Sequence, residues 1–219
     1  MTREPSSEPD GTPPAKARTF IEQARRDQIV QAAIETIAEV GYAKASFARI
    51  AERAEISPGL ISYHFRSKDQ LLTQVVADVE AAMERAIVDA TEGAETYMSA
   101  LRGMIETQVR YFGAHTSEIV ALGEIFSQAR SEPGVGESAG SRRRATLDEL
   151  EGMFREGQEE GEFRDFAPRP MAVVLLAALE AVPSELLSTP EPDVEALAGE
   201  IATLFEQATR RTRSRLRGR

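Results

Sequence analysis

Apolar residues recur along this chain every three to four positions, and no stretch alternates with the two-residue period of a half-buried strand. Ile29, Ala33, Ile37 and Val40 form one such stripe, closed by Gly41, a residue suited to the left-handed position just past a helix end. Ser46 stands where it can cap a short second helix whose inward face is Phe47, Ile50, Ala51 and Ala54. Ser57 is placed to cap a third, with Pro58 at the first helical position, where a missing N–H costs nothing. Ile61 and Phe65 lie four apart on the inward side of that helix. Ser67, followed three residues later by Gln70, is a capping-box pattern that opens a long fourth helix through Leu71, Leu72, Val75, Val76 and Val79.

Gly93 breaks the pattern near the end of the fourth helix. Further helices are predicted over about 94–115, 116–130, 142–161, 170–187 and 194–210, with "SEPGVGESAG" (131–140) as a loop and "GEFRDFAPRP" (161–170) as a connection. Pro183 is expected to kink or end the helix that contains it. The chain therefore reads as all-α, with about nine helices. Residues 1–17, rich in Pro, Ser and charge, read as a disordered N-terminal extension. Residues 18–66 form a three-helix unit, 67–210 a larger helical domain, and 211–219 an Arg-rich tail.

Charge sharpens this division. The 219 residues carry a net charge of −10, which argues against a protein basic all over. Yet residues 71–204 hold 10 Lys and Arg against 25 Asp and Glu, a balance of −15, while 14–70 hold 9 against 7, or +2. From Phe205 to Arg219 six arginines face Glu206 alone, or +5. An acidic body with less acidic ends can still bind a polyanion locally. There is no Cys, hence no disulfide framework, thiolate metal site or Cys nucleophile, and His64 and His115 are the two histidines. The N-terminus lacks an apolar signal-peptide core. The longest apolar run, Met171 to Leu179, falls far short of the ~20 residues of a membrane span. These features predict a cytoplasmic protein with no membrane partner, no cofactor and no metal.

Two short capped helices separated by a turn, Ala45–His64, make a helix-turn-helix candidate. With Ile61 and Phe65 inward, Gly59, Leu60, Ser62 and Tyr63 fall on outward or lateral positions of a helix slim enough for a DNA major groove. Groups suited to phosphate surround it: the helix N-termini behind Ser46 and Ser57, the Tyr63 hydroxyl, His64 and Lys68. Leu60 is a candidate for contact with a thymine methyl. Arg49 is an exposed cation that could meet phosphate, whereas Arg53 reads as simply solvated.

Here the sequence resembles the TetR family of bacterial regulators. That pattern is a Thr or Ser opening the second helix, then Ile-Ala, Ala-Gly-Val-Ser, a Tyr-x-His-Phe-type run, and Lys followed by an acid. It appears as Ser46, Ile50-Ala51, Ala54-Glu55-Ile56-Ser57, Ser62-Tyr63-His64-Phe65 and Lys68-Asp69, within a match covering about residues 22–72. "EGQEEGEFRDF" also looks like a common stretch in the regulatory domains of one branch of the family. Two residues depart from the pattern. Glu55 replaces the usual turn glycine, which implies a left-handed side-chain residue at a cost of about 1 kcal/mol. Ser62 stands where many relatives carry an aromatic, which could move a phosphate contact onto Tyr63.

The resemblance implies a homodimeric transcriptional regulator, a repressor released from a palindromic operator by a small-molecule effector of unknown identity. Its DNA-binding set would be Lys44, Ser46, Arg49, Ser57, Pro58, Gly59, Leu60, Ser62, Tyr63, His64 and Lys68. In the larger domain Tyr97, Leu101, Ile105, Gln108, Phe112 and His115 recur at helical spacing. Leu101 and Ile105 read as core. Gln108 and His115 interrupt the stripe with polar groups that need a partner. An effector pocket would draw on Tyr97, Gln108, Phe112, His115, Phe126, Phe154 and Leu175, with Met153 and Met171 nearby. The last two helices supply the expected dimer surface: Leu197, Ile201, Leu204 and Phe205 on one, and Val173, Ala177 and Ala181 on the other. The contrasting readings are an enzyme and a helical module controlled by a protein partner. No Gly-rich phosphate loop, Gly-x-Ser-x-Gly elbow or His-based metal spacing supports catalysis. Sequence-specific duplex binding separates the regulator from both.

Overall fold

The computed structural model describes residues 15–129 and 135–211. Among them run nine α-helices: α1 (Ala15–Val40), α2 (Phe47–Arg53), α3 (Pro58–His64), α4 (Lys68–Thr91), α5 (Tyr97–Ala114), α6 (Thr116–Ala129), α7 (Val135–Glu159), α8 (Pro168–Ser188) and α9 (Val194–Thr209). A 3-10 turn covers Tyr42–Lys44, and one isolated antiparallel bridge joins Phe163 to Arg210.

The N-terminal helices begin where their serines can cap them. The Oγ atoms of Ser46, Ser57 and Ser67 accept the backbone N–H of Arg49 (3.4 Å), Leu60 (3.3 Å) and Gln70 (3.2 Å), each satisfying a donor the helix leaves unpaired. At α4 the reciprocal half of the capping box differs from expectation. The Gln70 side chain accepts from Arg66 N–H at 2.8 Å, one residue ahead of the cap, and so ties the α3–α4 link instead. Glu55 does adopt the left-handed conformation, at φ 54°. Farther on, Thr96 and Ser99 make a full capping box that starts α5 three residues later than the periodicity suggested.

Helices α1 to α3 close over Ile29, Ile37, Ile50, Ala51, Ile61 and Phe65, all essentially inaccessible, and Leu71 and Val75 of α4 continue the same core. Helix α1 has a second buried side, with Val30 and Ile34, because α6 packs along it as well as α2. In the larger domain α5 is the central element, buried through Leu101, Ile105, Val109 and Phe112 and packed chiefly on α9 and α4. Helix α8 lies on α7 and also touches α5.

Four expectations need correction. Helix α1 already includes residues 15–17 of the supposed lead-in, while residues 1–14 lie outside the described residues. The supposed loop 131–140 is helical from Val135; Gly136 and Gly140 each disfavour a helix by about 1 kcal/mol relative to Ala, a cost that a long packed helix absorbs. Residues 131–134, like 212–219 of the Arg-rich tail, lie outside the described residues. Helix α8 runs through Pro183 to Ser188, since the ring forfeits one backbone bond while buried Leu179 and Val182 hold that segment in place. By length and composition α8, with mean hydropathy 1.7, is also apolar enough to cross a membrane, because apolar residues flank the Met171–Leu179 run. Its inward half, including Leu175, Leu176 and Leu179, is core.

The "EGQEEGEFRDF" stretch folds for a structural reason. The Gly157 carbonyl accepts the N–H groups of both Glu162 and Phe163 at 3.0 Å, turning the chain back at the end of α7. Phe163 then packs edge-on against Phe154 (ring centroids 5.9 Å) and Tyr97 (6.4 Å). A Cβ on Gly157 would sit 2.4 Å from the Phe163 ring, whereas one on Gly152 of the same helix meets nothing within 4 Å. Gly157→Ala should therefore destabilise the protein by about 1–3 kcal/mol through overpacking. Gly152→Ala should stabilise it by about 0.5–1 kcal/mol through helix propensity. Urea melts of the two variants check this opposition of sign.

Candidate nucleic-acid interface

The α2–turn–α3 unit presents its polar and small residues outward and its large apolar ones inward. Ile61 and Phe65 have no accessible surface, while Tyr63, two residues from each, is 74% exposed. Lys44, Ser46, Arg49, Ser57, Pro58, Gly59 and Ser62 are exposed, and Leu60 is half-buried. All lie on or beside α2 and α3. A Cβ on Gly59 would find only the Ser57 hydroxyl, at 3.9 Å, so packing within the fold does not require its lack of a side chain. Ser62 Oγ donates to the Pro58 carbonyl at 3.3 Å.

His64 is half-buried at the end of α3, its ring edge-on to Tyr63 at 5.1 Å. Burial, and then the nearby Arg26 guanidinium, hold its pKa below the ordinary histidine value. Lys68 is turned inward further than a rim cation would be. Its ammonium donates to the Tyr42 carbonyl at 2.6 Å and lies 4.1 Å from the Tyr42 ring centroid, and burial lowers its pKa. Lys68 thus braces the turn ahead of α2 from the start of α4.

Several residues that hold this surface in place carried no local signal in the sequence. Arg26 of α1 donates to the His64 carbonyl (2.9 Å) and to Gln74 Oε1 (3.1 Å), and stacks 4.4 Å from the Phe65 ring centroid. It thereby ties the C-terminal end of α3 to α4. Gln28 Nε2 donates to the Ala54 carbonyl at the α2–α3 turn (2.8 Å). Arg53, read as solvated, is in fact bound to α1: its Nε donates to buried Thr36 Oγ1 (3.1 Å), and its guanidinium pairs with Glu35 and Glu39. Partners 14 to 48 positions away leave no trace in a local pattern.

The seven effector candidates lie in several distinct surroundings. Leu175 and Phe154 are fully buried core residues, and Tyr97 donates to Glu156 Oε2 at 3.3 Å beside the Phe163 ring. Phe126 packs beneath the Arg142 guanidinium (5.6 Å), and Gln108 is half-buried on α5. His115 stacks on Tyr111 (4.0 Å, 13° between planes), with its Nδ1 buried and unpartnered. The Tyr111 hydroxyl donates to Glu118 at 2.6 Å, and burial followed by that bond pushes its pKa far above the usual phenol value. Of the seven, Phe112 lines an open cleft of ≈ 350 Å³ between α5, α6, α8 and α9, with Gly113, Thr116, Ile119, Leu186 and Val194.

The expected dimer stripe also divides. Phe205 is 2% exposed and belongs to the core, while Leu197 and Ile201 are half-buried against it. A helix face is narrower than the four-residue stripe implied, and α5 takes that side of α9. What remains outward is Leu204 on α9, 62% exposed, and on α8 Val173 (40%), Val174 (59%), Ala177 and Ala181.

Residues 29–75 match the model for bacterial regulatory proteins of the tetR family. Over 81 residues the chain is 41% identical to the HTH-type transcriptional regulator BetI 1 of Chromohalobacter salexigens, a match covering 35% of this chain and 40% of that regulator's length. Among solved structures, a protein described as a transcriptional regulator from Saccharomonospora viridis, in complex with choline, superposes with a TM-score of 0.75 at 21% identity, covering 87% of this chain and all of that one. FadR from Bacillus subtilis, in complex with stearoyl-CoA, gives 0.70 at 22%, covering 81% and 96%. These two likenesses are of fold.

The placement of Tyr63 and Phe65 generates a direct test. Tyr63→Ala should change stability by no more than about 0.5 kcal/mol and abolish specific duplex binding. Phe65→Ala should cost about 3–5 kcal/mol by opening a core cavity. Thermal melts and duplex titrations on both purified variants check the pair.

Proposed function

From the match of residues 29–75 to the tetR family of bacterial regulatory proteins, we propose that this chain is a regulator of that family: a homodimeric repressor, acting in the cytoplasm, that leaves a palindromic operator when a small effector binds its larger domain. The observation that carries this reading is the exposed Tyr63–Gly59 surface of α3 over an inaccessible Ile61–Phe65 face. Seven residues read only a few base pairs, so two copies related by a two-fold axis are needed for affinity and specificity together. Lys44, Arg49, Tyr63 and His64 would meet phosphates, with the capped N-termini at Ser46 and Ser57; Gly59, Leu60 and Ser62 would face base edges.

The outward residues of α8 and α9 support a dimer surface made of Val173, Val174, Ala177, Ala181 and Leu204. Small and β-branched side chains there allow two helices to approach closely, and among the described residues these side chains stay exposed. The Phe112–Leu186 cleft supports the effector site. Its volume lies in the range of ligand pockets, about 300–1,000 Å³, and none of its lining residues is charged, so an uncharged or acyl-like moiety suits it. Helix α4, which carries Leu71 and Val75 in the reading head's core and continues to Thr91 beside α5, is the lever between cleft and DNA.

Two measurements follow. Val174→Arg with Leu204→Arg should convert a dimer to monomers in light scattering at micromolar concentration, since each buries an unpaired charge in the interface; a wild type that is already monomeric contradicts the dimer. An apolar environment-sensitive fluorophore should bind the wild type one to one and bind about tenfold more weakly to Leu186→Trp, whose indole fills the cleft; equal binding removes this cleft as the effector site.

A further inference from the structure

The turn that leads into α2 is held through both backbone polar groups of one residue, Tyr42, in two successive peptide units. On one side the Tyr42 backbone N–H donates to Glu124 Oε2 of α6 at 3.0 Å. On the other, the Tyr42 carbonyl accepts from Lys68 Nζ at 2.6 Å, with that ammonium over the Tyr42 ring. An anion from α6 thus grips the Tyr42 donor, and a cation from the start of α4 grips the Tyr42 acceptor. Both bonds are charge-assisted, the stronger class.

The backbone around Tyr42 is shaped to this arrangement. Gly41 takes φ 80°, and a Cβ there would lie 3.2 Å from Glu124 Oε2, so a side chain would be strained and would press on the carboxylate. The Gly41 carbonyl accepts the N–H groups of Lys44 (3.3 Å) and Ala45 (3.2 Å), and Ala45 is fully buried. Four residues past Tyr42 stands Ser46, the cap of α2 and first of the surface groups assigned to phosphate. Little slack separates the Glu124 carboxylate from the N-terminus of α2.

We propose that Glu124 is a positioning residue for DNA binding: by fixing the Tyr42 backbone N–H while Lys68 holds its carbonyl, it sets the N-terminus of α2, and by belonging to α6 it makes that setting depend on where α6 lies. This rests on the regulator reading given above. A movement that draws α6 off α1 removes the acceptor from Tyr42 N–H and frees the turn, while the core of α1, α2 and α3 stays closed. Glu124 touches no DNA in this account and acts through Tyr42 alone.

The test compares Glu124→Gln and Glu124→Ala with wild type on an operator fragment, without any effector, alongside amide hydrogen exchange at Tyr42. The glutamine keeps a carbonyl that can accept the Tyr42 N–H, and alanine removes it. Glu124→Ala should lose about tenfold in operator affinity and exchange the Tyr42 amide at least about tenfold faster, with an unchanged melting temperature. Glu124→Gln should stay within about threefold of wild type on both readouts. Because Glu124 and Lys68 hold the two peptide groups that flank one residue, Tyr42, the affinity losses of Glu124→Ala and Lys68→Ala should not add in the double variant. Operator binding by Glu124→Ala equal to wild type, or additive losses, overturns the positioning role while the regulator reading stands. A wild type that retains no duplex overturns both.

Discussion

A seven-residue helix cannot hold itself in water, and the whole arrangement of this protein follows from the need to hold α3 from outside. Two turns fall well below the length at which an isolated helix is even marginal. Burial of Ile61 and Phe65 in a core shared with α1, α2 and α4 supplies what propensity lacks, and Arg26 fixes the C-terminal end where no intrahelical donor remains. The free face of α3 is then available because nothing in its own fold uses it.

That constraint joins the two halves of the chain. Leu71 and Val75 stabilise the reading head from a helix that continues to Thr91 and packs on α5, so no displacement of α4 can leave α3 untouched. Helix α1 is equally committed, burying one side on α2 and another on α6. A regulatory domain that changes state therefore acts on the recognition surface through packed elements and not through a flexible linker. The charge balance runs the same way: residues 71–204 carry −15 and residues 14–70 carry +2, so a polyanion is better tolerated by the three-helix unit than by the acidic body.

Much of this was legible in the sequence, for identifiable reasons. The caps Ser46, Ser57 and Ser67, the left-handed Gly41 and Glu55, and the inward pair Ile61–Phe65 are local or near-local consequences of residue type. The exposure of Tyr63 follows from the same helical period. Tertiary competition was not legible. Phe205 belongs to the same stripe as Leu204, and only the presence of α5 decides which of them is buried. Gln108, Phe112 and His115 share a spacing, yet the positions of α6, α8 and α9 leave a cleft beside Phe112 alone of the three. The inward turn of Lys68 and the ion pairs of Arg53 depend on partners remote in sequence.

The central claim is that α3 reads DNA as one of a symmetric pair. Hydroxyl-radical footprinting of the purified protein on fragments retained from its own genome tests it most directly. The account predicts two protected half-sites related by a two-fold axis and lying on one face of the duplex, each centred on a major groove, with protection fading as salt rises. A single protected patch without symmetry, or no retained sequence at physiological salt, contradicts it.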